Sequence, residues 1–294
     1  MYVKENLRLK PLLVCCSYPP EQITEKGAHN ISNLISLGFD TITISPAPET
    51  WKNLMRESFL KYGNPFKSSE TALYASLPRM AIAYHIPLVF LGENPALQDG
   101  ELGSGSLNWE ANGMENYNTI KDGMDDLLSN EIQENNIIPY RYPPKNELDQ
   151  ANLKMVYLGY FWKNFTKPDN GNYSILQGLD IRDDIPIKYG SLFPHESTDE
   201  DFVIVNQMIK YMKFGFGKVV EDVSEAIRLG RMTRDEGVTL VNKYDGKCDK
   251  KYILRFCEYI NLDVEEFWKV AESFRNHDLF IKNKNGEFEL KYKP

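Results

Sequence analysis

Cysteine and histidine are scarce in this chain, four of each in 294 residues, and the scarcity excludes several classes of protein. Cys15 and Cys16 are neighbours, Cys248 and Cys257 stand far from them, and no Cys-x-x-Cys pair occurs. Adjacent cysteines do not suit an ordinary disulfide. Without paired thiols there is no structural zinc motif either, so a reduced, cytoplasmic protein without a metal ligand set is expected. Long apolar runs are also missing. No stretch approaches membrane-spanning length, and Met1-Tyr2-Val3-Lys4-Glu5 is no signal peptide. Positive charge is in deficit: 34 Lys and Arg stand against 42 Asp and Glu, a formal net charge of −8. That argues against a nucleic-acid partner held by phosphate neutralisation, although a local basic patch is compatible with it.

What is present suits a large core. The chain is 42% apolar, 26% charged and 12% aromatic, and its length allows two domains or one extended one. The stretch on which the rest is organised is Leu88-Val-Phe-Leu-Gly-Glu-Asn-Pro95. Ile86 to Leu91 has the length and apolar content of a buried strand, and Pro87 limits how early its ladder begins. Gly92 allows a tight exit, and Pro95 pushes Asn94 into an extended conformation. Two readings fit the exit. In an open parallel sheet Glu93 and Asn94 would face the crevice at the carboxyl ends of the strands. Alternatively, Asn94 caps a short helix with Pro95 at its first position.

In chain order, Tyr2 to Arg8 reads as the charged tail of a helix and Leu9 to Cys16 as a strand. Thr24 to Leu37 has helical spacing at Ala28, Ile31, Leu34 and Ile35, and Asp40 to Ser45 is a second strand closed by Pro46. Glu49 to Lys61 and Ser68 to Tyr84 follow as helices, the second with Leu73, Leu77, Met80, Ala81 and Tyr84 on one face. Strand, helix, strand, helices, strand predicts an α/β doubly wound parallel sheet. Met124 to Glu134 reads as a helix and Met155 to Trp162 as a further strand extending the sheet. Asp180 to His195 shows no period. The division predicted is an α/β domain over 1–200 and a helical domain over 201–294.

The C-terminal part is helical almost throughout. Thr233-Arg-Asp-Glu236 is a capping box and Asp263-Val-Glu-Glu266 a similar start. Ile253, Phe256, Cys257 and Ile260 form one apolar stripe, and Phe267, Val270, Ala271 and Phe274 another; both read as core. Lys213-Phe-Gly-Phe-Gly-Lys218 is open to two readings, an anion cradle of backbone amides or a plain turn between helices. His195, in Phe-Pro-His-Glu, is either a general acid or a histidine on a surface loop. Cys15 reads as a small buried apolar residue.

Seven of these stretches, in this order, carry a resemblance: Pro11-Leu-Leu-Val14, Leu37-Gly-Phe-Asp40, Ile44-Ser-Pro46, Gly92-Glu-Asn-Pro95, Lys213-Phe-Gly-Phe-Gly217, Lys243-Tyr-Asp-Gly-Lys247 and Ser273-Phe-Arg275. Together they resemble the N-acetyl sugar amidotransferases of lipopolysaccharide and flagellar sugar biosynthesis. The resemblance implies a fold like the PP-loop ATP pyrophosphatases, ATP and magnesium as requirements, and a nucleotide-linked N-acetyl sugar as substrate. It implies that ATP adenylates the acetamido oxygen and that ammonia displaces AMP to leave an acetamidino group. The ammonia would come from a glutaminase partner paired with a cyclase-like channel subunit. Glu93 and Asn94 would then be catalytic, and Cys16, Ser17 and Ser45 would line the nucleotide side.

The chain departs from the family in more than one stretch. The family's phosphate loop, Ser-Gly-Gly-Lys-Asp-Ser after a first strand, has no counterpart in this sequence, and Gly63-Asn-Pro65 leads into Phe66-Lys-Ser-Ser69 where members often carry paired cysteines. The alternative reading is therefore a catalytically incomplete subunit or truncated remnant that keeps binding surfaces. A third, a helical interaction module on an α/β scaffold, is the one the seven motifs disfavour. In the family's strand order, 3-2-1-4-5, the missing strand is number 1. Leu12–Cys16 and Ile86–Leu91 are then expected to close up and pair directly in parallel, unless another segment or chain fills the slot.

Overall fold

The structure, a computed structural model, describes residues 1–92, 109–116, 119–162 and 165–292. Leu12–Cys16 (β1) is apolar at every position. The helix Glu25–Ser36 (α1) carries the chain back so that Asp40–Ile44 (β2) runs parallel to it, Leu12 opposite Asp40 and Cys16 opposite Ile44. Thr24 caps α1 by accepting the Gly27 amide at 2.9 Å. On the flank of α1, the Asn30 side chain exchanges hydrogen bonds with the Asp180 backbone (2.8 and 3.2 Å), and Asn33 donates to the Gln177 carbonyl at 2.8 Å. Two amides thus tie a distant segment to this helix.

Pro48–Tyr62 (α2) and Lys67–Ala83 (α3) follow. The buried side of α3 matches the expected one only in part, at Ala81 and Leu77. Leu73 and Tyr84 are exposed, whereas Ser68, Thr71, Ala72, Ala75, Ser76 and Ala81 are buried. Small side chains let the helix lie close against β1 and Leu88–Leu91 (β3), both of which it packs on. The buried Lys67 ammonium donates to the Thr119 and Lys121 carbonyls at 3.2 and 2.9 Å.

The short helix Lys145–Gln150 (α4) precedes Lys154–Tyr157 (β4), which pairs in parallel with β3, Leu88 opposite Lys154 and Leu91 opposite Tyr157. The other edge of β4 is closed by Trp109–Asn112. The Ala111 amide donates to Met155 O (3.0 Å), the Tyr157 amide to Trp109 O (2.9 Å), and Asn112 Oδ1 accepts from the Met155 amide (2.8 Å). Leu91, Ala111, Met114, Ile120, Leu148, Leu153, Met155 and Tyr157 pack into one buried cluster beneath this pair. After β4 the chain turns at once into a helical turn, Leu158–Phe161, so the strand read from Met155 to Trp162 is only half its expected length. Between β3 and β4 the helix expected over Met124 to Glu134 is reduced to a 3-10 turn at Asp125–Leu127. The Ser129 hydroxyl accepts the amides of Glu131 and Ile132 at 3.2 Å, a local alternative to helical bonding. Lys167–Leu176 (α5) completes the region.

One expectation is overturned. β1 pairs with β2 and β3 with β4, as two separate two-stranded parallel sheets; β1 and β3 are not hydrogen-bonded to each other. The expectation rested on the cost of burying unpaired ladder groups. All five residues of β1 are only partly buried, so water can satisfy an edge that would be costly in a dry core.

The chain is a helix-rich α/β protein that divides into two units. One comprises Met1–Leu54 and Lys67–Asp180, the other Met55–Phe66 and Ile181–Pro294. The second contains Phe202–Phe214 (α6), Lys218–Arg228 (α7), Arg234–Tyr244 (α8), Lys250–Tyr259 (α9) and Val264–Ser273 (α10). Its centre is aromatic. Phe59, from the C-terminal half of α2, stacks on Phe267 (5.1 Å between centroids) and meets the edge of Phe256 (5.6 Å), which in turn touches Phe202 (5.4 Å). The stripe Ile253, Phe256, Cys257 and Ile260 is buried, as are Phe267 and Ala271. The box at Thr233 and Glu236 forms, whereas Asp263 precedes α10 without a side-chain cap bond. The end of the chain was expected to be helical and instead makes a hairpin, Phe280–Lys282 (β5) against Phe288–Leu290 (β6). Strands of three residues are too short to show a period in sequence.

Candidate functional site

In open parallel sheets ligands bind at the carboxyl ends of the strands. At the β1–β2 end, the Ser17 amide donates to Ile44 O at 2.9 Å, which brings Cys16, Ser17 and Ser45 to one edge. Ser45 is exposed there, and the Ser17 hydroxyl donates to the Tyr18 carbonyl at 3.1 Å. Burial, helped by the neighbouring Cys15, pushes the Cys16 thiol up to about 12, so it is protonated at neutral pH and is no nucleophile. Glu93 and Asn94 lie outside the described residues, so the structure does not place them against this edge.

A polyphosphate needs several converging amides or cations. Both donors of Ser17 are spent within the protein, and the first turn of α1 is capped by its own Thr24. Among the described residues no group of three His, Cys, Asp or Glu is placed to hold a metal ion. The edge formed by Cys16, Ser17 and Ser45 therefore lacks the converging amides and cations that magnesium-bound phosphates need.

The glycine-rich turn of the helical unit does bind an anion, and the anion is the protein's own. The Asp245 carboxylate accepts the Gly217 amide at 2.8 Å and the Val219 amide at 3.0 Å, closing the N-terminus of α7. Burial outweighs these bonds and leaves its carboxyl above the ordinary range. Gly246 follows with φ +68°, and a Cβ there would stand 2.4 Å from the Tyr211 ring. The motifs Lys213–Lys218 and Lys243–Lys247, far apart in sequence, are thus two halves of one capped turn. An Asp-Gly pair beside a glycine-rich turn was the signal for this, but nothing in the sequence joins the two.

Lys213 donates to the Tyr62 carbonyl at 2.8 Å, and burial lowers its pKa. Lys218 is buried against Glu196 (2.7 Å) and Asp222, whose carboxylate also accepts the Leu192 amide at 3.0 Å and lies 3.2 Å from the Ser191 hydroxyl. Burial works against the ammonium, but the two carboxylates outweigh it and hold Lys218 above its ordinary range. His195 is half-buried and stacked on Phe193 at 5.3 Å. Burial lowers its pKa against the pull of Glu196, so the ring is neutral at pH 7 and is not poised as a general acid.

A cavity of about 870 Å³ lies elsewhere in the α/β unit, between α3 and the segment 120–147, with Arg79, Arg141, Asp125 and Tyr142 on its walls. Most of its α3 residues (Arg79, Met80, Ile82 and Ala83) belong to the turns that lead into the amino end of β3, and neither Cys16, Ser17 nor Ser45 lines it. It is not the crevice at the carboxyl ends.

No curated protein matches the sequence of this chain. Residues 193–293 match a family described as the C-terminal domain of WbpG-like lipopolysaccharide (LPS) biosynthesis proteins. Three of the motifs that carried the resemblance to N-acetyl sugar amidotransferases, at Lys213–Gly217, Lys243–Lys247 and Ser273–Arg275, fall inside this stretch. No helix among the described residues is long and apolar enough to cross a membrane. Over residues 193–293, the stretch containing the capped turn and most of the aromatic centre, this chain is similar to the C-terminal domain of the WbpG-like LPS biosynthesis proteins.

Proposed function

We propose that the chain acts in the synthesis of a surface-polysaccharide or flagellin sugar, as the amidotransferase that turns the acetamido group of a nucleotide-linked sugar into an acetamidino group. The family match over residues 193–293 carries this reading. The chemistry balances with ATP and ammonia as co-substrates: the amide oxygen leaves on AMP, pyrophosphate is released, and nitrogen from ammonia takes the vacated position on carbon. Positioning and charge stabilisation dominate such a step, which needs no protein nucleophile. A protonated Cys16 is compatible with that. Ammonia is supplied by a glutaminase with a cyclase-like channel subunit, magnesium accompanies ATP, and Glu93 and Asn94 act at the crevice.

A second reading, a binding subunit without ATP chemistry, is favoured by one observation. Both donors of Ser17 at the β1–β2 edge are already spent within the protein. The two readings separate in one experiment on the full chain, supplied with magnesium-ATP, ammonium and a nucleotide-linked N-acetylhexosamine. AMP release with formation of the amidine, read by mass spectrometry and lowered by Glu93→Ala, supports the enzyme. Sugar-nucleotide binding without ATP binding or turnover supports the subunit.

A further inference from the structure

Three large aromatic side chains stand open at the carboxyl end of the β3–β4 pair: Trp109 (38% exposed), Tyr160 (49%) and Phe161 (57%). Their placement is fixed from both sides. Tyr157, the last residue of β4, is 1% exposed and donates its amide to the Trp109 carbonyl. Trp162, directly after Phe161, is stacked on Tyr2 (4.5 Å between centroids, 19° between planes) and meets Phe165 at 5.6 Å. Between these pins the chain makes one helical turn, on which Tyr160 and Phe161 meet edge to face at 5.2 Å. A T-shaped pair on an exposed turn keeps a ring face free. Aromatics that could fold inward are instead held outward by buried or stacked neighbours, which is the preorganisation a ligand surface requires.

The other strand pair contrasts with this. Its carboxyl end carries Cys16, Ser17 and Ser45, which are small and polar. A flat ring has nothing to stack on there, whereas the β3–β4 end offers three π surfaces. We propose that Tyr160 and Phe161, with Trp109, form a stacking platform for a nucleobase at this end of the α/β unit. The proposal rests on the reading above that the chain handles nucleotide substrates. The base is that of the sugar nucleotide or that of ATP, and stacking chemistry is common to both.

The test uses the full chain with uridine diphosphate–N-acetylglucosamine, ATP and free N-acetylglucosamine as three separate probes. Saturation-transfer NMR should place the base protons, rather than the sugar protons, nearest the protein, and whichever nucleotide responds identifies the source of the base. Trp109 fluorescence should be quenched on titration, a response that Trp109→Phe removes. The double variant Tyr160→Ala with Phe161→Ala should weaken binding roughly five- to a hundredfold, as expected for the loss of base stacking. Tyr173→Ala, which removes another exposed aromatic, on α5, should leave affinity unchanged. Both replaced side chains are exposed, so the melting curve should not move; if it does, the wild-type base-proton signal still decides. Base protons that receive no saturation from either nucleotide, or a double variant that binds like wild type, would overturn the platform. Amidine formation that persists alongside such a result would leave the proposed reaction standing.

Discussion

At the centre of the helical unit the rings of Phe59, Phe256 and Phe267 are sealed, all at 0% exposure, and Arg182 and Lys218 are paired with carboxylates. In the α/β unit all five residues of β1 are partly exposed, and among the described residues its ladder is made on one side only. One unit closes on itself by packing and by paired charge. The other leaves the β1 edge open. Stability is therefore expected to be concentrated where substitution removes a sealed contact, and ligand chemistry where the surface is left open.

The comparison breaks most clearly at the aromatic centre. Phe59→Ala leaves a cavity between Phe256 and Phe267 and should cost about 3–5 kcal/mol, read by denaturant unfolding. Lys218→Met should cost nearly as much, about 3–5 kcal/mol, because it strands Asp222 and Glu196 without their cation. An equal loss from Leu13→Ala in β1 would erase the distinction between the units.

Next comes an effect of pH. Arg182 is 7% exposed on its side chain and reaches Asp184 at 3.1 Å, Asp201 at 3.0 Å and the Tyr252 hydroxyl at 2.7 Å. Burial alone would raise the Asp184 carboxyl, but bonds from Tyr252, Lys251 and Arg182 outweigh it and hold the pKa at about 2. A folded pKa below the unfolded one means that the stabilisation is complete above about pH 4 and is lost as pH falls toward 2. It is on the order of 2 kcal/mol. Tyr252→Phe should flatten that part of an acid titration of stability.

Smaller again is Asp245→Ala, which uncaps α7 and should cost about 1–2 kcal/mol, with faster exchange of the Gly217 and Val219 amide hydrogens. The smallest effect is expected from Leu13→Ala itself. A half-exposed side chain on an open edge should cost about 1 kcal/mol or less in the same unfolding measurement.

The same contrast governs what could be read from the residues beforehand. The stripe Ile253, Phe256, Cys257 and Ile260 and the box at Thr233 and Glu236 are local patterns, and they formed where expected. The parallel strands β1 and β3 were recognisable as apolar runs and β2 as a Thr- and Ile-rich stretch closed by Pro46, with ends displaced by a residue or more. Pairing of strands depends on partners far away in sequence, and on whether an edge is dry or wet, so the expected contact between β1 and β3 failed. Helix α3 also misled. Leu73 on this helix and Tyr84 just past its end face outward, whereas the residues buried against the strands are mostly small. Of the candidate site, Cys16, Ser17 and Ser45 do share one edge. The partnership of Gly217 with Asp245 was hidden, because both halves were visible as motifs and only the fold joins them.

Phe59 has a consequence for how such a domain can be inherited. The family stretch starts at residue 193, yet the ring at the centre of the helical unit comes from α2, and Arg182, Ser191 and the Leu192 amide, which clasp Asp201 and Asp222, also precede that boundary. A recombination breakpoint placed where sequence similarity begins would deliver a domain lacking its own central residue. Gene fusions and exchanges that keep this unit functional must carry the α2 segment with it, or find another ring to take its place.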